Sequence, residues 1–184
     1  DKYPLREGNI LVTGRSVWVF EPLAPVGGVP RTAVTFTTNV DAGGILHSAI
    51  LDRSTNAPHK AMTEFLTVVS NLRNKFDKSG GVFKSDDELD HEERNKIADI
   101  IKNEPQEYSA DEEEIIRKGK EFYEKCRENK HFKNVKIPDK RVKMKFMHIE
   151  GDTIGTGVLN TVVDASVEDC AAREFFLGSR ALQS

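Results

Sequence analysis

The sequence holds only two cysteines and one tryptophan in 184 residues. Cys126 and Cys170 sit in separate helical patterns with no motif around either. No disulfide framework is therefore expected, and a reducing compartment, the cytoplasm, is the expected location. No apolar run reaches the roughly 20 residues of a membrane-spanning helix. No signal-peptide pattern opens the chain. Neither sign of charge dominates, since 27 Lys and Arg against 30 Asp and Glu leave a formal −3. That balance gives no broad attraction for nucleic acid, which is not expected as a partner. The first residue is Asp1 and not Met, so the chain is expected to be a piece of something longer.

The residue patterns of common catalytic sites are also missing. Gly27-Gly28 sits between two strand-like stretches and does not open a helix, so it makes no phosphate loop. His47, His59, His91, His131 and His148 are scattered without metal-ligand spacing. Ser48, Ser54 and Ser166 lack a nucleophile elbow. The expectation is a non-enzyme without metal or cofactor.

What is present is organised around residues 31–76. Arg31–Val40 is rich in β-branched residues and alternates, with Val34, Phe36 and Val40 on one side and Ala33, Thr35, Thr37 and Asn39 on the other. Asp41-Ala-Gly-Gly44 supplies a turn. A helix is expected from Pro58, which suits a first turn, to Phe76. Met62, Phe65, Leu66, Val69, Leu72 and Phe76 recur every three or four residues and share one face.

Upstream, Ile10–Leu23 reads as a strand. Pro22, Pro25, Gly27, Gly28 and Pro30 read as the loop of an antiparallel hairpin with the strand that follows. Residues 77–112 are acidic and weakly apolar. They read as a linker carrying a short surface helix at Ile97, Ile100 and Ile101. Ser109-Ala-Asp-Glu112 has capping-box spacing for a helix with the stripe Ile115, Ile116, Phe122, Tyr123 and Cys126. A basic stretch, Lys130 to Lys145, leads into strands Arg141–Ile149 and Ile154–Val163. Ser166 and Asp169 then cap a last helix. The order β-β-α, linker, α-β-β-α has no βαβ alternation, so the fold class expected is α+β with antiparallel hairpins.

Two stretches together resemble the START family, the steroidogenic-acute-regulatory-related lipid-transfer domains of the helix-grip superfamily. The first carries Tyr3-Pro4, Arg6-Glu7, Phe20-Glu-Pro-Leu23 and Thr35-Phe-Thr-Thr-Asn-Val-Asp-Ala-Gly-Gly44 before a long helix, and is similar to the C-terminal half of such a domain. The second, Val162-Val-Asp-Ala-Ser-Val-Glu-Asp-Cys-Ala-Ala172 after a helix and hairpin, is similar to the N-terminal portion. The family-like pieces occur in reversed order. They either straddle a tandem array or fold together in permuted order, and the compact permuted unit is favoured. The division expected is 1–84, a charged linker 85–108, and 109–184.

The resemblance implies an antiparallel sheet gripped by a long helix. It also implies non-catalytic binding or transfer of a lipid, sterol or other hydrophobic molecule. The implied lining is Val34, Phe36, Met62, Phe65, Leu66, Val69 and Leu72. Implied partners are the lipid and a neighbouring START-like unit or second copy. Apart from the resemblance, the basic strand edge Arg141, Lys143 and Lys145 reads either as a contact for phosphates or for lipid headgroups at a membrane surface, or as the solvent side of an amphipathic strand. The same residues could instead make a dry core. The alternative function is a protein–protein interaction module without a ligand cavity, in which the grip surface meets another protein or a neighbouring repeat.

Overall fold

The computed structural model describes residues 13–41, 67, 69–74, 76, 88–137, 139–148 and 154–181. The glycine turn, the run 45–51, the helix start at Pro58, and Met62, Phe65 and Leu66 lie outside the described residues.

The described chain is α+β, built on one antiparallel sheet. β1 (Thr13–Val26) and β2 (Val29–Asp41) form a hairpin. Prolines 22, 25 and 30 lie inside these strands, and the loop expected there shrinks to a two-residue turn. Gly27 and Gly28 both hold positive φ, 59° and 79°. Two left-handed residues in succession match the twist of the flanking strands, and glycine adopts them without strain. β1 is a sheet edge, where a proline need not interrupt the ladder, and the pairing slips between Leu23 and Val26 around Pro25.

Residues 67, 69–74 and 76 are helical and are called α1. α2 (Glu88–Asn103) is a full 16-residue helix, longer than the short surface helix expected. It packs on the last helix, with Ala98 and Arg94 buried. α3 (Ala110–Glu128) starts at the expected capping box. The Ser109 backbone N–H donates to Glu112 Oε2 at 2.8 Å, and the Glu112 N–H donates to Ser109 Oγ at 3.4 Å.

A three-residue strand not foreseen from sequence, β3 (Lys133–Val135), pairs with β4 (Lys143–His148). β5 (Ile154–Val163) then pairs with β4 and also with β2, Thr32 standing opposite Val163 and Phe36 opposite Leu159. α4 (Val167–Ala181) closes the chain, its first turn capped by Ser166 Oγ, which accepts from the Asp169 N–H at 3.1 Å. The strand order β1-β2-β5-β4-β3 puts the two hairpins, distant in sequence, into one sheet.

The core lies on one face of that sheet. Val34, Leu72, Val163, Ala165 and Cys170 form one buried cluster, with Trp18, Phe20 and Phe76 packed against it. Phe36, Val69, Val142, Met144 and Leu159 form a second, joined to the first through Trp18. The Trp18 ring lies 4.5 Å from that of Phe36 and 5.8 Å from that of Phe20. Thr32 Oγ1 donates to the carbonyl of Ala165 at 2.8 Å, which satisfies a buried acceptor ahead of α4.

Candidate functional site

Four of the seven residues expected to line a ligand space are described, and all are interior. Val69 and Leu72 are 0% exposed, Val34 1% and Phe36 6%. Leu72 packs with Val34, and Val69 with Phe36, so helix α1 meets the sheet on the face that the alternation assigned. Met62, Phe65 and Leu66 lie outside the described residues.

A groove opens on the opposite side, between β1 and α3. Its volume is about 810 Å³ and its lining is mostly apolar. Val17 and Val19 contribute from the strand, and Ile115, Ile116 and Tyr123 from the helix. Arg15, Lys118, Lys120 and Glu124 form a charged rim. The groove exists because α3 is held at few points. The Arg15 guanidinium sits 5.9 Å from the centre of the Phe122 ring, within cation–π range. Asn129 Nδ2 donates to Met147 Sδ at 3.1 Å. Both fastenings belong to the C-terminal part of the helix. Toward the N-terminus Ile115 is 69% exposed, and no residue of α3 is fully buried.

Gly119 sits on the side of α3 that faces Val17 of β1. A Cβ placed there would lie 3.6 Å from Val17 Cγ2 and meet no backbone. The helix holds its own shape by local pairs instead. Arg117 bonds Glu114 and Glu121, Lys118 reaches Glu114 at 3.2 Å, and Arg127 reaches Glu124 at 2.5 Å. Hydrogen bonds from Arg117 and Lys118 hold the Glu114 carboxyl at about 2.

Sequence reasoning found the apolar stripe of α3 but had no signal that the stripe would face a gap. A second, more polar groove of about 460 Å³ lies over the ends of β2 and β5. Arg31, Asp164, Glu21 and Lys143 are among its walls, with Arg31 Nε 3.5 Å from Asp164 Oδ1.

Titratable groups in the interior are few and dispersed among the described residues. Burial pushes the Cys170 thiol up to about 12, which makes it a poor nucleophile. Cys126 is also pushed up by burial. Both cysteines are free. On α4, burial lowers Arg173 and raises Glu174 from their ordinary values. Among the described residues no group of three or more His, Cys, Asp or Glu is placed to hold a metal ion. No helix among them is long and apolar enough to cross a membrane. The chain matches no protein-family model, no curated protein and no solved structure.

Proposed function

We propose that this chain is a non-catalytic cytoplasmic module that binds a hydrophobic small molecule of the lipid or sterol class. We further read its architecture as a permuted relative of the START helix-grip fold. The observation that carries the ligand reading is the groove between β1 and α3, large enough at about 810 Å³ and mostly apolar. Small-molecule sites fall in the range of roughly 300–1,000 Å³ and are apolar with a few polar groups at the margin. An acyl chain or sterol ring that buries about 300 Å² of apolar surface there gains roughly 7 kcal/mol before the costs of association.

The space beneath the helix expected over residues 58–76, of which α1 is the described part, is the other place for such a ligand. Its described walls, Val34, Phe36, Val69 and Leu72, pack on one another, and the rest of the expected lining, Met62, Phe65 and Leu66, lies outside the described residues. The fold reading is supported by the antiparallel sheet that combines the two family-like pieces, with a helix across its buried face.

Native mass spectrometry of the chain after incubation with a lipid extract tests the proposal. A bound apolar mass is expected on the unmodified chain. Gly119→Leu should remove it if the groove is the site, because the added side chain projects beside Val17. Leu66→Trp should remove it if the ligand lies under the helix expected over residues 58–76. No bound mass from any extract would reject ligand binding. It would leave the protein-interaction module, a reading favoured by Ile115 and by Phe175, which is 67% exposed.

A further inference from the structure

Between residues 130 and 145 the chain carries Lys130, Lys133, Lys136, Lys140, Arg141, Lys143 and Lys145 against one acid, Asp139. Asp139 is already engaged. Its carboxylate accepts from Arg141 Nε at 2.8 Å and Nη2 at 2.9 Å, and this pairing holds the carboxyl at about 2. The six lysines are all exposed, and none has an ion-pair partner among the described residues. On α3, three of the five cations, Arg117, Lys118 and Arg127, are each paired with a glutamate.

The fold collects these lysines at one margin. β3 is the outermost strand, with Lys133 opposite Phe146 and Asn134 opposite Lys145. Lys130 and Lys136 flank β3, and Lys140 sits in the turn that leads to β4. Lys143 and Lys145 alternate with Val142 and Met144, which point into the core.

We propose that this β3–β4 margin docks on the headgroup surface of an anionic phospholipid bilayer. Lysine on an edge strand also deters pairing with other sheets. That role does not cover Lys145, on a strand paired on both sides, nor Lys130, Lys136 and Lys140, outside the strands. The side-chain chemistry selects a bilayer over a nucleic acid. Lysine is a compact point charge suited to a diffuse anionic surface, whereas paired phosphate recognition uses the arginine fork. The one arginine here is committed to Asp139. Stacking on single-stranded bases needs exposed aromatic rings. The one aromatic residue in the stretch is Phe132, and it is half-buried. A cluster of four to eight lysines beside a membrane gains about 1 kcal/mol each, roughly fivefold in partition per residue.

The proposal stands apart from the ligand groove, because docking is measured with vesicles and no added apolar probe. The test is co-sedimentation of the full chain with vesicles of equimolar phosphatidylcholine and phosphatidylserine, and with phosphatidylcholine alone. Binding is expected to the first only and should fall steeply with added potassium chloride. The triple variant Lys136→Gln, Lys143→Gln, Lys145→Gln should partition about a hundredfold less, with an unchanged thermal melt. If the triple variant does not fold, Lys130→Gln with Lys140→Gln should show about a 25-fold loss. Equal binding to both vesicles, binding insensitive to salt, no vesicle binding, or unaltered binding by the folded variants would each overturn the proposal. Salt-sensitive binding to a single-stranded RNA in place of vesicles would assign the margin to nucleic acid instead.

Discussion

The two faces of the sheet are covered in different ways. On the inner face, α1 and α4 press Val69, Leu72 and Cys170 onto Val34, Phe36, Leu159 and Val163, and every one of these is buried. On the outer face, α3 has no fully buried residue and stands over a groove. Both α3 and α4 are capped by a serine three residues ahead of an acid. The difference therefore lies in packing and not in how the helices begin. A helix that fills its site stabilises the fold through burial. One fastened toward its C-terminal end leaves room for something else. Stability should depend on the inner face, and ligand uptake on the outer one.

The largest expected effect comes from cutting into the inner face. Leu72→Ala should cost about 2–5 kcal/mol in urea unfolding, because it leaves a cavity among residues with no exposure. Ile115→Ala, on the outer side, should stay within about 0.5 kcal/mol. Similar losses for the two would mean that the faces do not differ. Next in size is Ser109→Ala, which removes the capping box of α3 at a cost of about 1 kcal/mol. Since α3 is weakly packed, the loss should also raise hydrogen exchange along residues 110–116.

Gly119→Ala has the opposite sign. The added methyl meets Val17 at ordinary contact distance and replaces a poor helix former, for a gain of about 0.5–1 kcal/mol. A destabilised Gly119→Ala would mean that α3 sits closer to β1 than described. A smaller, pH-dependent effect belongs to Glu174 on α4. Burial raises its carboxyl above the ordinary 4.5, so the folded state holds a proton that the unfolded chain gives up. Stability on this account is fully present below about pH 4.5 and falls as pH rises toward the raised value. Glu174→Gln should therefore stabilise the chain at neutral pH, and thermal melts should show that gain disappear in acid.

The alternation of Val34 and Phe36 and the spacing of Val69 and Leu72 located the buried face without a structure, because period-two and three-four patterns are local. The pairing of β2 with β5, across more than a hundred residues, has no local signal. The reversed family-like pieces suggested that the halves associate, without fixing the register. Pro22, Pro25 and Pro30 read as loop because proline cannot donate to a ladder. That penalty lapses on an edge strand and beside a tight turn. α2 looked like a short helix in a linker since Arg94 occupies its buried stripe with Ala98, and charge hides such a stripe from a hydrophobic pattern. β3 is three residues long, too short for alternation to show. The groove is a matter of fit between two surfaces, each of which reads as ordinary amphipathic structure.

The most direct test uses Trp18, the chain's lone tryptophan, which belongs to the strand that walls the groove while its ring packs on the inner face against Phe36. A brominated fatty acid quenches tryptophan fluorescence only at close range. Saturable quenching is expected in the unmodified chain and should be absent in Gly119→Leu, with the melting temperature of that variant no lower. No quenching in the unmodified chain, or equal quenching in both, would contradict a ligand site between β1 and α3.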